Sequence, residues 1–212
     1  PFARSFARAA DSPGPLINRG QYARIAAIRS VVQGFLEATA AAHRPAQIIS
    51  LGAGFDTLFW QLAAAGAAPR LFAELDQLSI IRRKRELIAS QPMLRRAVDE
   101  AGSSAYHLAA ADLNDVAQLE AALDAAGWRA DEPTLVIAEC LLTYMRPEAS
   151  DAIAGWFGAR APCAAFVAYE MIGPHDPFGR MMIDNLRQRG CPLLGLLALP
   201  DAKAHEARCL RT

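Results

Sequence analysis

The stretch Gln47-Ile48-Ile49-Ser50-Leu51-Gly52-Ala53-Gly54-Phe55-Asp56-Thr57 decides the fold. An apolar run ends in a glycine turn, and an amphipathic segment follows with Leu58, Phe59 and Leu62. That order predicts a strand, a tight loop and a helix. Glycine has no Cβ, so a Gly-x-Gly turn lets backbone come close to a ligand. The first peptides of the next helix would offer unpaired N–H groups at the same place. Open α/β sheets bind ligands there, beyond the carboxyl ends of their strands. The full dinucleotide fingerprint wants a third Gly or Ala opening the helix. Here Phe55-Asp56-Thr57 follows Gly54, so an acid stands in its place. Asp56 would repel a diphosphate and would accept a cationic ligand such as a sulfonium.

Upstream, Tyr22, Ile25, Ala26, Ile28, Val32, Phe35 and Leu36 recur at helical spacing and predict a helix over roughly 20–41. Pro13-Gly14-Pro15 would break any helix begun in residues 2–10. Arg19 and Arg24 sit beside the apolar face near its start, either as surface arginines or as ligand contacts. Downstream, a helix from about Thr57 to Ala65 stops at Gly66. A second strand, Leu71–Leu75, ends at Asp76, about twenty residues after the turn, which suits a ribose diol. Asp76 could also cap the helix Gln77–Ser90. On that helix Arg82-Arg83-Lys84-Arg85 reads as a solvated face, and the polar residues 91–104 read as a loop. A third strand, Tyr106–Ala110, leads into Ala111-Asp112-Leu113. There Asp112 could meet an adenine amino group and Leu113 could wall it. Asp115 caps a helix that Gly127 closes. The fourth strand, Thr134–Ala138, ends at Glu139, facing the crevice of Gly52. A buried Glu needs a partner, and the ligand is the expected one. Pro147 starts a helix burying Ile153, Trp156 and Phe157. The fifth strand, Ala164–Ala168, runs into Tyr169-Glu170. Asp176-Pro177 opens a further helix whose Met181 and Met182 read as core. Strands alternating with helices mean an α/β, doubly wound parallel sheet in a single domain.

The chain has 212 residues, 53% of them hydrophobic, enough for one sizeable core. Lys+Arg and Asp+Glu are both 22, so neither bulk nucleic acid nor an anionic membrane is an expected partner. No apolar run reaches the ~18 residues of a membrane span. Pro1-Phe2-Ala3-Arg4 is not a signal peptide and lacks an initiator Met, so the chain is expected to begin inside a longer protein. Cys140, Cys163, Cys191 and Cys209 show no CxxC spacing; they read as reduced thiols of a cytoplasmic protein, with no metal site. A monomer is expected.

Taken in order, Ile17-Asn18-Arg19-Gly20, Ala23-Arg24, the Leu51–Thr57 turn, Glu74-Leu75-Asp76, Ala111-Asp112-Leu113, Ala138-Glu139-Cys140, Thr143-Tyr144-Met145, Tyr169-Glu170 and Asp176–Arg187 resemble the leucine carboxyl methyltransferase family. The resemblance covers nearly the whole chain. It implies a class I methyltransferase, Rossmann-like fold using S-adenosylmethionine. The implied substrate is the C-terminal leucine carboxylate of the catalytic subunit of type 2A protein phosphatases. By that resemblance Arg24 holds the methionine carboxylate, Gly52, Gly54 and Asp56 form the turn, and Asp76 takes the ribose. Asp112 and Leu113 flank the adenine, and Glu139 meets the methionine part. Tyr144 and Arg19 lie at the substrate end. The family also uses a lysine upstream of Pro1 and two further C-terminal strands. Both are missing here, so a chain truncated at both ends is expected, with strand five left as an apolar edge.

The wybutosine-synthesising methyltransferase domain shares Asn-Arg-Gly, the glycine turn and Ala-Glu. Ile183-Asp184-Asn185-Leu186-Arg187 reads closer to the phosphatase enzyme. Bacterial O-methyltransferases share the turn but usually lack Ile-Asn-Arg-Gly. From other classes, a nicotinamide oxidoreductase is opposed by Asp56 and the missing third glycine. A degenerate binding module is opposed by the retained Gly52, Gly54, Asp76, Asp112 and Glu139.

Overall fold

A computed structural model describes residues 14–102 and 105–210 of the chain; the reading of residues 2–10 falls outside them. Along the chain run α1 (Pro15–Ala41), β1 (Gln47–Leu51), α2 (Leu58–Ala64), β2 (Leu71–Asp76), α3 (Leu78–Ser90), α4 (Pro92–Ala101) and β3 (Tyr106–Ala110). Then come α5 (Val116–Ala125), β4 (Thr134–Glu139), a 3₁₀ turn (Leu142–Tyr144), α6 (Pro147–Arg160), β5 (Ala164–Tyr169), α7 (Pro177–Gln188) and α8 (Ala202–Cys209).

The strands pair in parallel in the order β3-β2-β1-β4-β5. Every residue of β1 is buried, as expected of a central strand covered on both faces. Alternation divides its side chains between two cores. Ile49 and Leu51 pack with Leu75, Val136, Leu119, Leu123, Trp156 and Phe157, beneath α5 and α6. Ile48 packs with Phe72, Leu135, Ile137, Phe59, Trp60, Leu94, Ile28 and Val32, beneath α1, α2 and α4. β5 lies at one edge of the sheet, opposite β3.

Several readings need correction. Residues 91–104 are not a loop throughout, because α4 spans Pro92–Ala101. Proline opens it, and Leu94, Ala97, Val98 and Ala101 face the core while Arg96 and Glu100 pair outside at 2.6 Å. The high charge of that segment masked its helical spacing. α1 begins at Pro15 rather than near residue 20, and its expected apolar face is half empty. Ile28 and Val32 are buried, whereas Tyr22 and Ile25 are exposed. Met181 is exposed too, so it is not core.

The largest correction concerns Lys84, read as part of a solvated face. Its side chain is 0% exposed, and its Nζ lies 2.5 Å from Oε2 of Glu74, itself 0% exposed. Lys84 stands three residues after the buried Ile81, on the inner side of α3. Glu74 points to the same sheet face as Phe72, where Tyr106 also donates to Oε2 at 2.8 Å.

Removing one partner of such a pair strands the other. Lys84→Met should cost about 3–5 kcal/mol of unfolding free energy, read by urea denaturation. Burial pushes the Glu74 carboxyl from its ordinary 4.5 up to about 7, against the pull of Lys84 and Tyr106. A raised folded pKa means that its stabilising contribution is complete below 4.5 and is lost as pH rises through about 7. Without Lys84 the charged form loses its counter-ion, so the variant's deficit should be larger at about pH 8 than at about pH 5.

Candidate functional site

The parallel strands bring their carboxyl ends to one edge, and the turn after β1 opens there. Gly52 and Gly54 both take left-handed backbone, with φ of +63° and +51°. The Gly52 N–H donates to the Leu75 carbonyl at 2.8 Å, and the Gly54 N–H donates to Asp76 Oδ2 at 2.8 Å. Asp76 Oδ1 accepts from the Gln77 N–H at 2.7 Å, at the entry to α3, where Gln77 rather than Asp76 is the cap residue. Asp76 thus braces the turn from the neighbouring strand.

Asp56 folds onto the start of α2, where Oδ1 accepts from the Thr57 N–H at 2.6 Å. An amide expected to be free for a ligand is therefore already used, and a negative charge occupies the helix entrance. This agrees with the exclusion of a diphosphate.

Opposite the turn, Arg24 of α1 meets Glu139 at the end of β4, with Nε 2.6 Å from Oε1. The pair is part-exposed, at 34% and 25%. This corrects the expectation that a ligand partners Glu139: the chain itself supplies the partner, Arg24. Arg24 Nη1 also donates to Cys140 Sγ at 3.4 Å. Burial pushes the Glu139 carboxyl above its usual value, Arg24 pulls it back, and Asp56 adds to the rise. Burial opposes the Arg24 charge, but Glu139, Cys140 and Tyr169 offset it and hold its pKa above the usual arginine value.

Between these groups lies a cleft of about 340 Å³, lined by Arg24, Ile25, Ser50, Gly52, Ala53, Phe55, Asp56, Glu139 and Cys140. A larger groove of about 860 Å³ lies at the opposite end of the strands, beside Arg44, Pro45, Ala46 and Arg70. None of the strand-end acids lines it, so its size does not make it the site.

The loop after β4 closes the cleft from behind. Cys140 takes φ of +50°, unusual outside glycine, and its N–H donates to the Tyr169 carbonyl at 2.8 Å. The turn swings Leu141 over Gly52, so close that a Cβ on Gly52 would lie 2.8 Å from Leu141 Cδ1. Glu170 gathers the loop, accepting from the N–H groups of Leu141 at 3.0 Å, Leu142 at 2.7 Å and Thr143 at 3.3 Å, and from the Thr143 hydroxyl at 2.9 Å.

Of the expected site residues, Arg24, Gly52, Asp56 and Glu139 line the cleft, with Gly54 and Asp76 bonded into its rim. Asp112 is exposed beyond β3, where the Asn114 N–H and Nδ2 hold its pKa below the usual carboxylate value. Leu113 beside it is buried. Neither lines the cleft. Arg19 is exposed on α1 outside the lining, and Tyr144 is half-buried on the 3₁₀ turn. Sequence reasoning gave no site role to Lys84, Cys140, Leu141 or Glu170. Glu74, an isolated acid within an apolar strand, was the available signal for the buried pair.

Comparison with known proteins now adds to this geometry. The sequence pattern described as leucine carboxyl methyltransferase matches residues 2–158. The human tRNA wybutosine-synthesizing protein 4 is 40% identical, across 100% of this chain and 33% of its own length. The Arabidopsis thaliana leucine carboxyl methyltransferase 1 homolog is 38% identical, across 91% of this chain and 60% of its own. The chain therefore spans a third to three fifths of these relatives. A crystal structure from Thermobifida fusca YX, assigned as a methyltransferase, superposes with a TM-score of 0.55 at 18% identity, over 76% of this chain and 57% of its own. That likeness concerns the fold, which is of the class I methyltransferase type.

The two glycines separate backbone strain from crowding. Gly54→Ala meets nothing within 4 Å and should cost about 1–2 kcal/mol for its left-handed backbone alone. Gly52→Ala must also displace Leu141 and should cost more. Equal losses in denaturant unfolding would show that Leu141 does not press on the turn.

Proposed function

The chain belongs to the leucine carboxyl methyltransferase family, and we propose that it methylates a C-terminal leucine carboxylate, that of the type 2A protein phosphatase catalytic subunit. S-adenosylmethionine is the cofactor of this family and supplies the methyl group, carried on a sulfonium.

The observation that carries the reading is the Arg24–Glu139 pair in the cleft wall. An amino-acid end bears one carboxylate and one ammonium. A neighbouring guanidinium and carboxylate are its complement, Arg24 for the carboxylate and Glu139 for the ammonium. A part-exposed pair contributes on the order of 1 kcal/mol, so exchanging its charges for a ligand's costs little. Asp76 at the rim suits a ribose, Asp112 and Leu113 an adenine, and Asp56 a positive centre. The left-handed turn at Gly52 leaves no room for a side chain under Leu141, and it supplies the close backbone approach such a ligand needs.

For the acceptor, the chain needs no general base. A terminal carboxylate has a pKa of about 3.5 and is ionised at neutral pH. The remaining work is orientation and exclusion of water, which together supply most of such an acceleration. Ile25 and Phe55 offer apolar surface at the mouth for a leucine side chain. Arg19 and Tyr144 are the candidates for the carboxylate. Burial raises the Tyr144 pKa, which keeps its phenol protonated and able to donate.

The human relative, named for a transfer RNA modification, makes a nucleic-acid substrate the second reading. Equal numbers of basic and acidic residues, 22 of each, support the protein substrate instead.

Calorimetry should give saturable binding of S-adenosylmethionine and none of NADH. Arg24→Ala should weaken that binding at least about tenfold, or 1.4 kcal/mol. Glu139 must be ionised to take an ammonium, so affinity should fall as pH drops through its raised pKa, and Glu139→Gln should flatten that dependence. A phosphatase tail peptide with a free terminal leucine should be methylated and its amidated twin should not. Methylation of transfer RNA with no peptide methylation would reverse the choice of substrate.

A further inference from the structure

Two opposite charges lie wholly buried directly beneath the cleft. Glu74 is in register with Ser50, a cleft residue. Lys84 comes in from α3, with Nζ 2.5 Å from Glu74 Oε2 and 5.5 Å from the centroid of the Trp60 ring. A buried ion pair is a poor device for stability alone, because apolar groups of the same shape usually serve as well or better. What distinguishes this one is a third contact. Lys84 Nζ donates to the backbone carbonyl of Asp56 at 3.0 Å. An ammonium has three donors and no acceptor, so it can grip one carboxylate and one carbonyl at once.

Asp56 is the hinge between the glycine turn and α2. Its N–H donates to the Ala53 carbonyl at 3.0 Å, its carboxylate accepts from Thr57, and its side chain lines the cleft. With the Asp56 carbonyl held, the peptide planes on either side are constrained. Glu74 and Tyr106 hold Lys84 in turn, since Tyr106 donates to the same Glu74 oxygen at 2.8 Å.

We propose that Lys84 is a positioning residue for the cleft: clamped by Glu74 and Tyr106, it fixes the Asp56 carbonyl and so sets the 53–57 turn that faces the ligand. The effect on cofactor affinity rests on the function proposed above, whereas the clamp is a property of the free chain.

The test replaces the whole polar cluster by apolar groups of similar shape, Glu74→Leu with Lys84→Met and Tyr106→Phe. The triple variant strands no buried charge, so its melting temperature should equal or exceed that of the unmodified chain. The Asp56 carbonyl nevertheless loses its donor. Amide hydrogen exchange at Gly54–Thr57 should then quicken at least about tenfold while β1 and β4 keep their protection, and calorimetry should show S-adenosylmethionine bound about tenfold more weakly. A folded triple variant with an unchanged turn would overturn the proposal, as would a loosened turn with unchanged affinity. If the triple variant does not fold, the unmodified chain decides. A scalar coupling across the hydrogen bond from Lys84 Nζ to the Asp56 carbonyl carbon supports the clamp, and its absence overturns it. An unmodified chain that binds no S-adenosylmethionine would sink the cofactor reading, and the exchange experiment would still decide the clamp.

Discussion

Five parallel strands end on one edge, and the chain places an acid at or just past four of those ends: Asp76, Asp112, Glu139 and Glu170. Gathering like charges is unfavourable, so each must be met. Three are met by their own surroundings. Asp76 takes the amides of Gly54 and Gln77, Asp112 takes Asn114, and Glu170 takes three successive amides and a hydroxyl. The bonds of Asp76 and Glu170 brace the turn and the loop that form the cleft. Glu139 differs, because its counter-charge is Arg24, supplied by a helix that precedes the sheet in sequence. A side-chain cation can be exchanged where a loop of backbone amides cannot. The edge therefore separates acids held by local backbone and amide donors from the acid held by a side-chain cation.

The part of this design legible in the sequence follows from local rules. Apolar runs punctuated by glycine, with an acid at or just past four of the strand ends, gave all five strands to within a residue. They also brought Gly52, Asp56, Asp76 and Glu139 to one edge, whereas Arg24 joined them only through the family resemblance. Local rules failed where a charge serves the interior. The basic run Arg82–Arg85 looks uniform, yet Lys84 falls on the helix stripe with Ile81 while Arg83 pairs outside with Glu86. The matching clue was Glu74 inside an otherwise apolar strand, since a buried acid calls for a buried base. α4 was missed for the opposite reason, because abundant surface charge hid four inward residues.

Some relations lie beyond any pattern of spacing. Leu141 presses on Gly52 only because Cys140 turns left-handed, and nothing in Ala138-Glu139-Cys140 announces that turn. Likewise Glu170 closes on Leu141 through Thr143 across nearly thirty residues of chain, through the register of β4 with β5. Tertiary geometry thus joins two strand-end loops that the sequence presents as separate motifs.

The same logic explains where the cleft is firm and where it can give. Its floor is the sheet, with Ile48, Ile49 and Leu51 buried and Lys84 gripping the turn from below. Its outer wall is α1, whose lower half is anchored by Ile28 and Val32 while Leu16, Ile17 and Tyr22 stand in solvent. Arg24 sits at that boundary, and its pairing with Glu139 ties the less anchored half of α1 to the end of β4. A zwitterion inserted between them would not sever the tie. Its carboxylate would face Arg24 and its ammonium Glu139, so the helix would stay bridged to the sheet through the ligand. In this arrangement a part-exposed ion pair, of small worth to folding, holds the wall in register, and on the function proposed above a ligand of matching charges would take over its role.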